Sequence, residues 1–579
     1  MQIREYPRWF WLFAALILFA SSIPYLFGLL STPDGQLYLG AQTNLDDHAV
    51  YAAWAKQAQE GRFLFENRFT TEDQPRLTIN IYFLLVGNIA KLVGVPAAMH
   101  LCRLVFGLLL LMALFRFAAR LSNETRKQIF ALVIATAGAG IGFLLWSRYG
   151  HAGPIDVWQP EAFGFPSLMT NGLFCASLCL MLVVWENILV AKDSWKPVLP
   201  GAFATLILAN IHTYDVLTIA LTAVCFVAIC VRSQLFTGIW FARACVIGAG
   251  ALPSIAWFVY VRANDPVFAA RAETVTHSAA PHLVLYGFSL LLVLALTGSA
   301  QFQTQPKWSV AAPLLFAIGS IFILQNNPPA AIFFLVFAIL VGLSMLIKTS
   351  STTAAFLLAW MVVGLVIIYY PGLFQRKLIA GYFIPLGLFA GLAVATFDKQ
   401  SKLLPSLTAL ILSITSIRWI QREIEMAKDN LSNTAMHSIY LSADAKAILA
   451  HLRKNASPND GIAAIPGVSQ EVARDQFTLV VTDLNPVLAG WGGVKAYAGH
   501  WSETPNYTDK RVRLWRDLYS PTATRESAEK LINEAKLNWV VWPHLSVDLQ
   551  SQIRAADAIL PASSELVYDG AEFSLYKIR

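Results

Sequence analysis

The chain has 579 residues, of which 56% are hydrophobic and 14% are charged, and its mean hydropathy is +0.54. No soluble globular domain of ordinary composition has this balance, so the composition excludes that class and predicts a polytopic membrane protein. The net charge of +7 does not indicate nucleic-acid binding, because the last 159 residues hold 17 Lys and Arg against 19 Asp and Glu and the excess lies in the apolar part. All six cysteines lie in or beside apolar segments, which indicates neither a disulfide framework nor a zinc site.

An apolar run from Trp9 to Leu30 follows Arg4 and Arg8, which predicts a first span with a cytoplasmic N-terminus. The next apolar stretch, Thr78 to Val95, is short and interrupted by polar residues. If it crossed the membrane, the basic stretch from Arg116 to Lys127 would lie outside, against the positive-inside rule. We therefore predict that it lies along the outer surface as an interfacial helix.

With that choice the remaining apolar runs alternate in direction and place the Lys and Arg clusters of most short loops inside. About thirteen spans are predicted, at residues 9–30, 97–119, 129–147, 165–190, 198–211, 214–232, 239–261, 282–300, 308–324, 329–347, 353–370, 378–397 and 402–420. The predicted fold is an α-helical polytopic membrane domain over residues 1–420, with a first outer loop at 31–96, followed by an extracytoplasmic α/β domain over 421–579.

The charged C-terminal region shows the periodicities of a soluble α/β domain. They predict helices at Ser442–Lys454 and Glu526–Ala535 and strands at Gly461–Ile465, Trp539–Trp542 and Phe573–Ile578. No glycine-rich phosphate loop or dinucleotide fingerprint is present, so a soluble nucleotide-sugar donor has no support in the sequence.

Two adjacent carboxylates and an imidazole, Asp46, Asp47 and His48, stand in the first outer loop before a helical run that ends at Gly61. One interpretation is structural, because acids before a helix stabilise its N-terminus. The other is catalytic, because a carboxylate at an outer surface can remove the proton of an acceptor hydroxyl or amine. Asp46 and Asp47 are the predicted catalytic residues.

Further polar candidates lie in outer segments under the same topology: Asp156, Glu161, His212, Tyr214 and Asp215. His212 alone is more typical of a satisfied buried histidine, and Asp215 is also placed to cap the next span. The carboxylates of Asp46, Asp47, Asp156 and Glu161 are oxygen ligands of the kind that Mg or Mn prefers, so these four form a predicted divalent-cation site.

Arg376 and Lys377 lie at an outer span boundary, where positive charge is not needed for orientation. A lipid phosphate is the predicted partner of this pair, and Arg76 in the first loop is a further phosphate-binding candidate. The alternative is that Arg376 and Lys377 only anchor the span at the interface.

The first 120 residues resemble the membrane glycosyltransferases of the GT-C superfamily. The motifs are the acidic pair, a helical run from Tyr51 to Gly61 that ends in Glu-Gly, and a surface helix that ends Leu92-Val93-Gly94-Val95. A span closing on Arg116 and Arg120 completes the pattern. The arrangement is similar to protein O-mannosyltransferases and lipid A aminoarabinose transferases, and the absence of a Trp-Trp-Asp motif in the soluble region argues against an N-linked oligosaccharyltransferase.

Two later stretches resemble motifs of bacterial members. His212-Thr213-Tyr214-Asp215 is similar to a His-Pro-Tyr-Asp stretch, and Gly499 to Thr504 is similar to a Gly-His-Trp-x-Glu-Thr stretch. The resemblance adds His500 and Glu503 to the site candidates.

The resemblance implies an inverting glycosyltransferase that moves a sugar from a polyprenyl-phosphate donor to an extracytoplasmic lipid, glycan or protein acceptor. It implies a multi-pass protein of a bacterial inner or plasma membrane, with its first-loop acid at Asp46 or Asp47. Two alternatives stay open, a transporter of lipid-linked sugar and a non-catalytic membrane scaffold of the same fold, because fold alone does not establish function.

Overall fold

The computed structural model of the chain describes residues 6–149, 153–305, 308–325, 329–399, 401–431, 438–467, 482–545 and 553–579. The chain forms two compact units. Unit 1 comprises Met1–Ser22, His100–Phe258 and Val275–Gln421, and unit 2 comprises Ile23–Met99, Val259–Thr274 and Arg422–Arg579. The last junction falls within one residue of the predicted boundary at 420, and the predicted first outer loop belongs to the same unit as the C-terminal region. Arg4 lies outside the described residues.

Apolar helices run through the chain at almost every predicted span. In order they are Arg8–Ala20, Ile23–Leu30, Val95–Leu121, Thr125–Ala137, Gly142–Tyr149, Gly164–Thr170, Gly172–Val190, Val198–Ile211, Asp215–Arg232, Gly238–Ala249, Leu252–Asn264, Pro281–Ser299, Trp308–Leu324, Ala330–Ser344, Thr352–Ile367, Phe383–Ala395 and Leu404–Leu412. The helix that follows, Ile414–Asn430, is amphipathic and carries several charged residues.

Seven helical stretches within the described ranges are long and apolar enough to cross a membrane, and an eighth is added if the pair Arg8–Ala20 and Ile23–Leu30, bent by 41°, is one span. Shorter apolar helices occupy the predicted spans at 198–211, 308–324, 329–347 and 353–370. The predicted helical polytopic fold is confirmed. The alternating direction of the spans stays a prediction.

Several predicted spans are interrupted, and 129–147 is one of them. The helix ends at Ala137 and a new helix begins at Gly142. A Cβ on Gly140 would lie 2.3 Å from the carbonyl oxygen of Gly287, so the connecting turn passes against the backbone of another helix. Hydropathy did not predict this break, because the residues around it are apolar and hydropathy carries no information about which backbones come close together.

Small residues allow close helix packing in unit 1. A Cβ on Gly387 would lie 2.3 Å from Cα of Ala135, and a Cβ on Gly391 would lie 2.3 Å from Cα of Ala131. These four residues therefore bring the helices Phe383–Ala395 and Thr125–Ala137 into backbone contact, as small residues do between membrane helices.

Unit 2 contains the sheet and the predicted α/β region. Its strands are Leu37–Tyr38 (β1), Tyr440–Leu441 (β2), Gly461–Ala464 (β3), Lys495–Ala496 (β4), Leu537–Pro543 (β5), Glu565–Asp569 (β6) and Phe573–Lys577 (β7). Its helices include Leu45–Gln59, Ile81–Val93, Pro266–Ala272, Ala443–Asn455, Asn485–Val487, Tyr507–Leu514, Arg525–Glu534 and Ala556–Ile559. The five-stranded sheet has the order β4-β3-β5-β7-β6, with β3 parallel to β4 and β5, and β7 antiparallel to β5 and β6. All five predicted elements of this region are confirmed within one or two residues.

The first outer loop is tied to the C-terminal region inside unit 2. Strand β1 pairs with β2 in antiparallel register, Leu37 opposite Leu441 and Tyr38 opposite Tyr440. The hydroxyl of Tyr440 donates to the carbonyl oxygen of Gly28 at 2.9 Å. Residues far apart in sequence are thus parts of one folded body.

The predicted interfacial helix is the helix Ile81–Val93, capped by the side chain of Asn80, which accepts from the backbone N–H of Phe83. Ile81, Leu85 and Leu92 are exposed along one face, whereas the opposite face is buried. An exposed apolar stripe fits a helix lying in a membrane surface. The interfacial position itself stays a prediction.

Candidate functional site

The acidic pair lies in the first turn of the helix Leu45–Gln59 in unit 2. The N-cap residue is Asn44, in the left-handed region at φ 53°, and its side chain makes no capping hydrogen bond. Asp46 and Asp47 therefore stabilise the positive end of the helix by charge, as the structural interpretation predicts. Their side chains also remain 20% and 38% exposed, so both stay accessible to a ligand.

His500 is the buried partner of both carboxylates. Its Nε2 lies 3.4 Å from Oδ2 of Asp46 and 3.5 Å from Oδ1 of Asp47, and its side chain is 1% exposed. Burial lowers the pKa of His500, but the two adjacent carboxylates raise it by more, and the resulting pKa is about 9. A positive imidazole thus lies between two negative side chains at neutral pH.

A tight turn holds this imidazole in place. The backbone N–H groups of Gly499 and His500 both donate to Oγ1 of Thr504 at 3.1 Å, and that hydroxyl donates to the carbonyl oxygen of Phe69 at 2.5 Å. A Cβ on Gly499 would lie 2.9 Å from Cα of Phe69, so the turn approaches the first loop at a glycine. The Gly-His-Trp-x-Glu-Thr stretch is therefore a positioning element for His500.

Glu503, from the same turn, forms a second ion pair at the site. Its Oε1 lies 2.7 Å from Nε of Arg271, whose guanidinium also lies 5.1 Å over the ring of Trp54. Its other oxygen, Oε2, is buried and has no hydrogen-bond partner among the described residues. The acidic pair, His500, Glu503 and Arg271 together carry a formal charge of −1 when His500 is protonated.

Sequence reasoning missed Arg271. It lies on the helix Pro266–Ala272, within the segment between the predicted spans 239–261 and 282–300, which the predicted topology places outside. An outer Arg breaks the positive-inside pattern, which is the signal that identified Arg376 and Lys377. Applied to this segment, the same signal would have found it.

His48 is next to the acidic pair but does not act with it as a cation. Burial lowers the pKa of His48 to about 4, although the neighbouring carboxylates oppose this shift. Its ring contacts Tyr51 edge-on at 5.7 Å. The neutral, buried imidazole is a packing residue of the helix.

Arg76 lies in an ion-pair cluster around the buried Glu66. Its Nε is 3.3 Å from Oε2 of Glu66, and the same carboxylate lies 2.9 Å from Arg62 and 3.3 Å from Lys495. Because the Glu66 carboxylate already neutralises part of the positive charge of this cluster, Arg76 is a weaker candidate for binding a phosphate than the sequence indicates.

Asp156 and Glu161 lie in unit 1, and both are buried. Oδ2 of Asp156 accepts from the backbone N–H of Gly142 at 3.0 Å and from Oγ1 of Thr415 at 3.3 Å. Burial raises the pKa of Asp156 to about 7, and these hydrogen bonds oppose the shift. Asp156 therefore holds the start of the helix Gly142–Tyr149.

The predicted Mg or Mn site has no support in the described part of the chain. No group of three or more His, Cys, Asp or Glu side chains in these ranges is arranged to hold a metal ion. Asp156 uses one oxygen for internal hydrogen bonds, and the acidic pair is matched by His500. The assignment of these four carboxylates to a metal ion stays a prediction, and no metal step enters the proposed reaction.

The other unit 1 candidates form a hydrogen-bonded chain. Nδ1 of His212 lies 2.6 Å from Oδ2 of Asp215, and the hydroxyl of Tyr214 lies 2.7 Å from Nε2 of His212. His212 and Asp215 are buried, and Tyr214 is partly exposed. The residue at the N-cap of the next helix is Tyr214, so Asp215 orients the histidine rather than capping the span.

Arg376 and Lys377 lie on the short helical turn Gln375–Ile379 of unit 1. The guanidinium of Arg376 is 5.7 Å over the ring of Trp158, and neither cation pairs with a carboxylate in the described ranges. The backbone N–H of Arg376 donates to the carbonyl oxygen of Thr276, and its carbonyl oxygen accepts from Gln159. The segment is thus fixed while its charges remain available to an anion.

No protein-family model and no curated protein sequence matches the chain. Among solved structures, the chain is similar to the archaeal oligosaccharyltransferase AglB from Archaeoglobus fulgidus, in complex with an inhibitory peptide and a dolichol-phosphate. The TM-score is 0.46 at 10% identity, over 94% of this chain and 70% of that one.

It is also similar to ArnT from Cupriavidus metallidurans bound to undecaprenyl phosphate, with a TM-score of 0.41 at 13% identity, over 98% of this chain and 97% of that one. At these TM-scores the similarities carry no step of the functional inference, which rests on the side chains described above.

Proposed function

We propose that the protein is a membrane glycosyltransferase that moves one sugar, with inversion, from a polyprenyl-phosphate carrier to an extracytoplasmic acceptor. The observation that carries the proposal is the pair of accessible carboxylates, Asp46 and Asp47, held at a helix N-terminus against a buried cationic His500. A soluble anion-binding or metal-binding role explains this arrangement less well, since the positive charge is already built into the protein.

In the proposed reaction, an acceptor hydroxyl attacks the anomeric carbon of the sugar, and the bond from that carbon to the carrier phosphate breaks. The proton of the hydroxyl passes to a carboxylate of the pair, and the polyprenyl phosphate leaves with the bonding electrons. Asp47 is the better base candidate because it is the more exposed of the two. The positive charge of the His500 imidazolium offsets one of the two negative charges of the pair.

Arg376 and Lys377 support the phosphate part of the proposal. Both are cationic, and neither is paired with a carboxylate in the part of the chain that the structure describes. A guanidinium can bind two phosphate oxygens with parallel hydrogen bonds, and its attraction grows as the leaving phosphate gains charge. We assign these two residues to the carrier phosphate.

The first test is complementation of a strain that lacks the gene. Mass spectrometry of envelope glycans and polyprenyl lipids should show that the deletion strain lacks one sugar and accumulates one donor. The intact gene should restore the sugar and remove the accumulated donor. Asp46→Asn and Asp47→Asn should insert normally, and at least one should lower turnover by about two orders of magnitude, the scale of a lost general base.

Asp34→Asn is the matched control, because Asp34 is an exposed acid of the same loop that has no assigned role. It should restore the sugar fully. Full restoration by both Asp46→Asn and Asp47→Asn would remove the catalytic assignment.

A further inference from the structure

Trp501 is the exposed tryptophan of unit 2 within the described ranges. It is 44% exposed, whereas the other tryptophans described in this unit are buried: Trp54, Trp491, Trp515, Trp539 and Trp542. Single exposed apolar side chains are common in proteins, so exposure alone does not indicate a site. What distinguishes Trp501 is its position and the groups around it.

Trp501 lies beside the acidic pair. Its ring centroid is 5.8 Å from that of the His500 ring, with 35° between the two planes. Nε2 of His500 in turn lies 3.4 Å from Oδ2 of Asp46 and 3.5 Å from Oδ1 of Asp47, and both carboxylates are accessible. A single imidazole ring therefore separates the open indole from the proposed base.

The backbone on both sides of Trp501 is fixed. Before it, the N–H of His500 donates to Oγ1 of Thr504 at 3.1 Å. After it, the carbonyl oxygen of Glu503 accepts from Nδ2 of Asn67 at 2.7 Å. A turn held in this way keeps the exposed ring in one place before a ligand arrives, so less conformational entropy is lost on binding.

The polar groups near this ring suit the hydroxyls of a sugar. Besides the acidic pair, Glu503 on the same turn pairs with Arg271, whose side chain is 26% exposed. A sugar ring has an apolar face of C–H groups, which packs on the electron-rich face of an indole, and an edge of hydroxyls, which carboxylates and guanidinium groups bind. An open aromatic ring with a few convergent polar groups is typical of a small-molecule site.

The same charges disfavour a role for Trp501 as a membrane anchor. A tryptophan that anchors a protein at a membrane surface lies beside lipid headgroups, whose phosphates repel carboxylates. Carboxylates outnumber cations around this ring, because the acidic pair and Glu503 face only His500 and Arg271. A neutral, hydroxyl-rich ligand fits these surroundings better than a phosphate-rich surface.

We infer that Trp501 binds the transferred sugar by stacking against the C–H face of its ring. The inference rests on the proposed function and adds a sugar subsite to it. The transferred sugar is the ligand because the proposed reaction always contains it, whereas the acceptor can be a lipid, a glycan or a protein. A sugar with an axial hydroxyl on the stacking face fits less well, so Trp501 also contributes to sugar specificity.

Binding to the full-length protein in detergent, without acceptor, tests the subsite. The probes are the sugar-bearing polyprenyl lipid that accumulates in the deletion strain and polyprenyl phosphate from the same membranes. The unaltered protein should bind the sugar-bearing lipid more tightly. Trp501→Ala should raise the dissociation constant of that lipid about tenfold, the scale of one aromatic face returned to water, and leave that of polyprenyl phosphate unchanged.

Two further variants separate stacking from apolar contact. Trp501→Phe should keep part of the preference for the sugar-bearing lipid, because it retains an aromatic face. Trp501→Leu should lose most of it, because leucine is apolar but has no such face. Trp308→Ala is the matched control: Trp308 is 58% exposed and begins a predicted span in unit 1. It should leave the ratio of the two dissociation constants unchanged.

The inference is overturned if Trp501→Ala keeps the preference of the unaltered protein, or if it weakens both lipids equally, as loss of an anchor or of the turn would. An unaltered protein without any preference overturns it as well. If Trp501→Ala keeps the preference but raises KM for the acceptor, the ring binds an acceptor sugar and the assignment to the transferred sugar is wrong.

The outcomes for the subsite and for the proposed function are distinguishable, because binding is measured without sugar transfer. Restored envelope sugar in the complementation test, with an unchanged preference in Trp501→Ala, removes the subsite and leaves the transferase. A preference that only the Trp501 variants lose, in a protein that restores no sugar, leaves a sugar-lipid site and removes the transferase.

Discussion

His500 is a buried imidazolium whose charge is balanced by two accessible carboxylates, and this makes the stability of the protein depend on pH. The folded pKa of about 9 exceeds the ordinary value of 6.5, so the folded state binds the proton more tightly. The stabilisation is complete below about pH 6.5 and is lost as pH rises through about 9. Its size is roughly 1 to 3 kcal/mol. The thermal unfolding midpoint of His500→Gln in detergent should therefore differ most from that of the unaltered protein near pH 6. This difference should shrink toward pH 9.5, about half a unit above that pKa.

His544→Gln is the matched control. His544 is exposed, and its Nε2 also lies 3.5 Å from a carboxylate, that of Asp569. It should show only a small change in the thermal unfolding midpoint, because exposed ion pairs contribute little to stability. A constant difference between His500→Gln and the unaltered protein across this range would show that His500 is held by packing and not by charge.

At the same scale, the site was only partly readable from the sequence. Asp46 and Asp47 were found because adjacent acids after a span are a local pattern. Their contact with His500, about 450 residues later, depends on how distant segments fold together, which no local period encodes. Asp156 was predicted as a site residue from its residue type and its place in a predicted outer segment, whereas burial and hydrogen bonding give it a structural role in the described unit 1.

At the scale of elements, the contact between the helices Phe383–Ala395 and Thr125–Ala137 gives a prediction about packing. Gly391→Ala should lower the thermal unfolding midpoint, because the added Cβ would meet Cα of Ala131 at 2.3 Å and the helices must separate. Overpacking of this kind lowers the free energy of unfolding by about 1 to 3 kcal/mol. The midpoint is measured in detergent by intrinsic fluorescence or by circular dichroism.

Gly319→Ala is the control, since no atom lies within 4 Å of a Cβ at Gly319. There the same substitution should be neutral or slightly stabilising, because it only reduces the freedom of the unfolded chain. If Gly391→Ala and Gly319→Ala behave alike, the two helices do not pack at the distance described. The length of the apolar runs predicted both helices, but it does not show which glycines are in contact.

At the scale of the whole molecule, the sequence predicted the types of helix and strand better than it predicted which segments fold into one unit. Apolar runs of about 20 residues predicted a helical membrane protein, and periods of two or 3.6 residues within short windows predicted the α/β elements of the C-terminal region. These patterns did not predict that the first outer loop, residues 259–274 and the C-terminal region form one unit. That grouping rests on pairs such as Tyr38 with Tyr440 and Arg271 with Glu503, which join distant segments.

The remaining prediction separates transfer from transport for the intact molecule. A transporter needs two compartments and leaves its lipid-linked sugar chemically unchanged, whereas a transferase breaks the sugar–phosphate bond in any solvent that supports the fold. Purified protein in detergent, mixed with polyprenyl lipid extracted from the deletion strain and with an envelope extract as acceptor, should consume the accumulated donor and release polyprenyl phosphate. Asp47→Asn should lose this activity, and Asp34→Asn should retain it. Donor left intact in detergent by a correctly folded protein, yet redistributed across the membrane of sealed vesicles, would assign the carboxylates to a transport pathway instead.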